Sequence, residues 1–142
     1  MLALDFDAIL GDDSISVVPD SDSRMAIGEF ADSLSKKLEI VPKIANKINI
    51  VFDEIYTNIV NYSKATLATV SYSIENGKLR ISFIDNGTPY NPLEAVEPDT
   101  TLSAEEREIG GLGIFMVKKM TESMEYEYTD DKNVLTLVIS LS

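Results

Sequence analysis

A chain of 142 residues with 24 acidic and 12 basic side chains carries a formal charge of −12, which leaves no basic footprint for direct nucleic-acid binding. It contains no cysteine and no histidine, so disulfides, thiolate or imidazole metal sites, Ser-His triads and phosphohistidine chemistry are excluded. Acid–base work at neutral pH falls to Asp, Glu, Lys or Tyr, and the length fits one domain around one core.

Residues 1–14 read as a loose lead-in, without the basic start and small-residue cleavage site of a signal peptide. No apolar run nears the ~18 residues of a membrane span, so a cytoplasmic chain that does not engage the membrane is expected. Ile15–Val18 is a short strand candidate ended by Pro19. Asp20, Ser21 and Asp22 offer N-caps for a helix over about Ser23–Leu38. Pro42 suits the first turn of a second helix, about Pro42–Tyr62. There Ile44, Ile48, Val51, Phe52, Ile55, Ile59 and Tyr62 recur at three- and four-residue steps and mark one buried face.

Val70, Tyr72 and Ile74 then alternate with polar residues, Asn76-Gly77 is a two-residue hairpin signal, and Leu79, Ile81 and Phe83 alternate on the return strand. Residues 86–112 hold Gly, Pro, Asn and acidic residues with little periodicity, the pattern of a functional lid. A third helix is predicted over Ile114–Ser123. Met124, Tyr126 and Tyr128 alternate as a strand, 130–133 turns, and Val134–Leu141 closes the sheet. The order β-α-α-β-β-loop-α-β-β predicts an α+β fold: a two-layer sandwich with one mixed sheet, helices on one face and a long lid.

Three constellations carry chemistry. Glu54, Asn58 and Asn61 fall within about 60° of one another on the second helix, roughly 100° from the centre of its apolar face. Such an edge stripe faces a pocket between helix and sheet, or else snorkels and caps locally. Asp85-Asn86-Gly87 follows an apolar strand; it reads as a carboxylate in a pocket floor beside a glycine that admits a ligand, or as a plain turn. Gly110-Gly111-Leu112-Gly113 directly precedes the third helix. There, converging N–H groups and the positive helix end make a phosphate cradle that needs no basic side chain, and a flexible hinge is the other reading. It is neither a P-loop nor a dinucleotide fingerprint.

The order of these three groups resembles the nucleotide-binding boxes of the GHKL ATPase/kinase superfamily, and most closely its anti-sigma-factor serine/threonine kinases. Residues 52–62, 85–93 and 106–114 carry the resemblance, which extends over residues 15–142. It implies that ATP and Mg²⁺ are bound, with Asn58 on the metal and Asn61 beside it in the same box. Asp85 would accept from the adenine amino group, Gly87 would let the base lie close, and Thr136 in the last strand would support adenine recognition. Arg107, Gly111, Leu112 and Gly113 would line the phosphates, and Glu54 would serve as general base. The partners implied are a STAS anti-anti-sigma protein, a sigma factor or a serine phosphatase, with the chain a homodimer. Two positions depart from the family pattern: Tyr62 stands where histidine is frequent, and Ile109 where a basic residue precedes the glycines, Arg107 being the nearest cation. An ATP-dependent switch with little turnover is therefore the alternative to a kinase.

Overall fold

The computed structural model describes residues 13–20, 22–94 and 109–142, the stretch 109–112 by its backbone alone. Strand β1 (Asp13–Val17) leads into helix α1 (Arg24–Lys37) and helix α2 (Pro42–Asn58), which continues as a π turn over Ile59–Ser63. Strands β2 (Ala68–Glu75) and β3 (Lys78–Asp85) form a hairpin. A 3₁₀ turn (Pro92–Glu94), helix α3 (Ile109–Met120) and strands β4 (Ser123–Thr129) and β5 (Lys132–Ser140) complete the order.

The sheet runs β1-β2-β3-β5-β4. The expected sandwich forms, with helices on one face, but the sheet is more uniform than the mixed one expected: every pairing among the described residues is antiparallel. The physical reason lies in the connections. Two hairpins supply two of the four pairs, and β5 returns beside β3 in the sense opposite to it. At Asn76 and Gly77, φ is 53° and 75°, the left-handed pair that a two-residue hairpin requires. The second hairpin turns on Asp130 and Asp131 alone, at φ 53° and 61°. The predicted turn over 130–133 is thus two residues shorter, and Asn133 lies inside β5.

Period-two burial sets the inner face. Leu79, Ile81, Phe83 and Asp85 point to the helices from β3, as do Asn133, Leu135, Leu137 and Ile139 from β5. They meet Ile48, Val51, Phe52 and Ile55 of α2, Ile27, Ala31 and Leu34 of α1, and Ile114 and Val117 of α3 in one core. Phe52 and Phe83 pack edge to face at 5.4 Å, which pins α2 over the sheet centre. Pro42 opens α2 at its first turn, where a missing N–H costs nothing.

Two helix boundaries differ from the sequence expectation. α2 stops as an α-helix at Asn58, because the wider π turn replaces its last turn and ends at Lys64 in the left-handed region (φ 58°). Helix α3 starts at Ile109 rather than after Gly113 and ends at Met120. Glycine costs only about 1 kcal/mol per helical position relative to alanine, so a glycine cluster weakens a first turn without forbidding it.

Candidate functional site

α2 brings Glu54 and Asn58 one turn apart at the edge of its buried face. The Asn58 amide nitrogen donates to the Glu54 carbonyl oxygen at 2.9 Å. That bond fixes the amide, and its Oδ1 is left buried with no partner, in a residue only 6% exposed. The hydroxyl of Thr57, its neighbour, is likewise buried and unpartnered. Buried oxygens left unpaired are uncommon and each needs a reason. Hard cations prefer oxygen ligands, so an orphaned amide oxygen suits a magnesium ion. Among the described residues no cluster of three or more acidic side chains could hold a metal unaided. An Mg²⁺ ion held at Asn58 would therefore need further oxygen ligands besides the described acidic side chains.

Asn58 lines a cavity of about 30 Å³ between α2 and the sheet, together with Ser63, Asp85, Tyr90, Tyr126 and Asn133. Asp85 is 4% exposed because the parity of β3 turns its last side chain inward. Its Oδ1 accepts from the Gly87 N–H and from the Asn133 amide, both at 2.9 Å. Asn133 stands directly opposite Asp85 in the β3–β5 register. Its amide also donates to the Thr88 carbonyl at 2.8 Å, while its Oδ1 accepts from the Tyr90 N–H at 3.0 Å and from the Tyr126 hydroxyl. Burial pushes the Tyr126 hydroxyl pKa up, so it stays a donor. Above the cavity the rings of Tyr62 and Tyr90 stack at 5.3 Å.

The Asp85-Asn86-Gly87 segment does three separate jobs. Asp85 faces the cavity. Asn86 holds the preceding loop, accepting from the N–H groups of Thr66 and Leu67 and donating to the Thr66 hydroxyl. Gly87 admits a close approach, but by the chain itself: a β-carbon there would lie 2.1 Å from the Ser63 carbonyl oxygen. The chain itself thus takes the place a β-carbon would need at this glycine. Gly113 is similar, since a β-carbon on it would lie 2.1 Å from Glu54 Oε2. Glu54 therefore packs its carboxylate onto the α3 backbone, and burial raises its pKa above the ordinary 4.5, helped by the neighbouring charge of Asp53.

Two expected site residues are not brought in. Asn61 is exposed in the π turn and does not line the cavity, because the wider turn rotates it off the Glu54–Asn58 stripe. Thr136 pairs with Ser82 on the outer face of the sheet, away from Asp85, because β5 alternates and Asn133 takes the inward place. Gly111 and Leu112 lie in the first turn of α3, whose first four N–H groups have no intrahelical acceptor. The glycines expected before the helix thus sit inside its first turns. Arg107 and most of the expected lid fall outside the described residues. Thr57, Tyr90, Tyr126 and Asn133 escaped the sequence reading. Thr57 had a helical signal, on the same stripe, and Tyr126 a period-two signal that marked it as a strand residue only.

The histidine kinase-like ATPase domain profile matches residues 19–139. The serine/threonine-protein kinase BtrW of Bordetella bronchiseptica is 27% identical over 89 residues, which is 60% of this chain and 63% of BtrW, so the chain spans less than two thirds of that relative. The structure of the RsbU and RsbW domains of Rv1364c from Mycobacterium tuberculosis superposes with a TM-score of 0.63 at 14% identity, over 90% of this chain and 32% of that one. The SiaB-SiaC complex from Pseudomonas aeruginosa gives a TM-score of 0.60 at 14% identity, covering 98% and 97% of the respective chains. At such identity these likenesses establish the fold.

Proposed function

Because this chain belongs to the histidine kinase-like ATPase domain family, related to the anti-sigma-factor serine/threonine kinases, we propose that it binds Mg-ATP and phosphorylates or sequesters a protein partner. The partner is a STAS anti-anti-sigma protein, with a sigma factor or a serine phosphatase as further members of the same switch. The observation that carries this reading is the pair of buried groups facing one cavity from opposite layers, the orphaned Asn58 oxygen from α2 and the Asp85 carboxylate from β3.

Bound Mg-ATP would supply the phosphoryl group. The chain's own residues do the rest. Asp85 accepts from the exocyclic amino group of adenine. Asn58 gives its free oxygen to the cation. The open N–H groups at the start of α3, with the positive end of the helix dipole, hold phosphate oxygens in a chain whose net charge opposes anions. Glu54 takes the proton of the attacking hydroxyl, a task favoured by a carboxylate pKa raised toward neutrality. The cavity of about 30 Å³ has room for a water molecule or two and not for a purine. The side chains of Tyr90 and Pro92 that line it would therefore have to turn outward for the base to enter, while the Tyr90 N–H keeps its bond to Asn133.

A protein partner is also in keeping with the relatives, one of which is a complex of two proteins and another a chain with RsbU and RsbW domains. The test is incubation with γ-labelled ATP, Mg²⁺ and a STAS protein encoded nearby. Label on a partner serine or threonine, lost in Glu54→Ala, supports the kinase. A second reading, a switch with little turnover, is favoured by one feature: no basic side chain lines the cavity among the described residues. Tight Mg-ATP binding with no label transfer would decide for the switch, and no Mg-ATP binding by calorimetry would end both readings.

A further inference from the structure

We infer that Asn133 is the residue that sets base specificity in this pocket, by holding Asp85 in a single orientation and committing one of its carboxylate oxygens. This rests on the nucleotide-binding reading above and deepens it.

An asparagine amide offers two donors and two acceptor lone pairs. At Asn133 all four are used. The two donors go to Asp85 Oδ1 and the Thr88 carbonyl, and the two acceptor positions take the Tyr90 N–H and the Tyr126 hydroxyl. The amide cannot be reversed. Turning it over would set its oxygen against the Asp85 carboxylate and the Thr88 carbonyl, and its NH₂ against the Tyr90 N–H. Asn133 is also buried, so no water competes for these positions. The carboxylate is thereby fixed from two sides, since the same Oδ1 also accepts from the Gly87 N–H.

The consequence is selectivity. A fixed, buried acceptor rewards a ligand that brings a donor and rejects one that brings an acceptor, because a buried polar group left unpaired is costly. Adenine presents an amino group where guanine presents a carbonyl. A carboxylate free to rotate or recruit water would discriminate less. Asn133 reads nothing itself. It is a positioning residue that keeps Asp85 from adapting, and through Thr88 and Tyr90 it ties the pocket floor to the segment that closes the pocket.

The experiment is equilibrium binding of Mg-ATP and Mg-GTP by calorimetry to the wild-type chain, Asn133→Ala, Asn133→Thr and Tyr126→Phe, with circular dichroism as the check on folding. The wild type is expected to prefer ATP. Asn133→Ala should cut the ATP-to-GTP affinity ratio by about tenfold or more. Asn133→Thr, which keeps a donor toward Asp85, should recover part of the ratio. Tyr126→Phe removes only one hydroxyl from a partly buried ring and should lower the ratio several-fold with the fold intact. If Asn133→Ala fails to fold, Tyr126→Phe decides. A residue that only stabilised the fold would weaken both nucleotides alike. An unchanged ratio in the folded variants therefore overturns the inference while leaving ATP binding standing. A wild type that binds neither nucleotide overturns both.

Discussion

Alanine at Gly87 and alanine at Gly28 are the same chemical change with opposite expected signs. At Gly87 the new β-carbon would meet the Ser63 carbonyl oxygen at 2.1 Å, its carbon at 2.7 Å and the Ser63 β-carbon at 2.9 Å. Two of these three atoms are backbone, and the carbonyl is held by the Thr88 N–H at 2.7 Å and the Thr88 hydroxyl at 3.2 Å. Relieving the clash means moving the π turn off the β3 end. Overpacking of this kind costs roughly 1–3 kcal/mol, and each of the two weakened hydrogen bonds adds about 1 kcal/mol, so a loss of about 3–5 kcal/mol is expected. For a domain of this size that lowers the melting temperature by roughly 8–20 °C. At Gly28, inside α1, nothing lies within 4 Å of the added carbon, and relief of glycine's helix penalty should stabilise by about 0.5–1 kcal/mol. Urea titrations of both variants with matched m-values measure the difference. If Gly87→Ala unfolds within about 0.5 kcal/mol of the wild type, the packing of Ser63 on this glycine is wrong, and Gly87 returns to being a ligand-facing residue.

Three further outcomes follow from the same geometry. Glu54 has a folded-state pKa raised above its unfolded value of 4.5, chiefly by burial. The native state thus holds its proton more tightly, and stability falls as pH rises through the folded pKa. Glu54→Gln should match the wild type below about pH 4.5 and be the more stable of the two at neutral pH, in denaturant titrations across that range. A kinase step that needs the ionised carboxylate should rise through the same window and be absent in the variant. Gly113→Ala meets only the end of the Glu54 side chain, so its stability should stay within about 1 kcal/mol of wild type. The displaced carboxylate should nonetheless cost phosphoryl transfer on the order of 100-fold. Thr136→Ala and Asn61→Ala, outside the cavity, should leave Mg-ATP affinity unchanged by calorimetry; a tenfold loss in either would restore it to the site.

The layer order was legible because periodicity reports burial, and burial dominates this fold. The α2 stripe and the Asn76-Gly77 turn were written in residue type and spacing. Thr136 was misplaced for a physical reason too. In Val134-Leu135-Thr136-Leu137-Val138-Ile139 both faces are largely apolar, so alternation cannot reveal which parity points inward. That parity is set by pairing with β3, whose Asp85 faces Asn133. Asn133 itself was hidden among turn-forming residues, since Asp130-Asp131 occupy left-handed conformations without a glycine to mark where the turn stops. The π turn left no signature either. Ile59 and Tyr62 continue the helical step straight through it.

The two glycines that the motifs share with a nucleotide site are each occupied by α2 and its continuation. Gly87 receives the Ser63 carbonyl, and Gly113 receives the Glu54 carboxylate. The ten residues Glu54–Ser63 of one helical segment therefore reach both glycines, and Asn58, which lines the cavity, lies between them. A shift of that segment toward either end must change the other, because both contacts are closer than any side-chain carbon would allow. Motion at the Gly87 end would then reach the first turns of α3 through two contacts, the Ser63 carbonyl on Gly87 and the Glu54 carboxylate on Gly113.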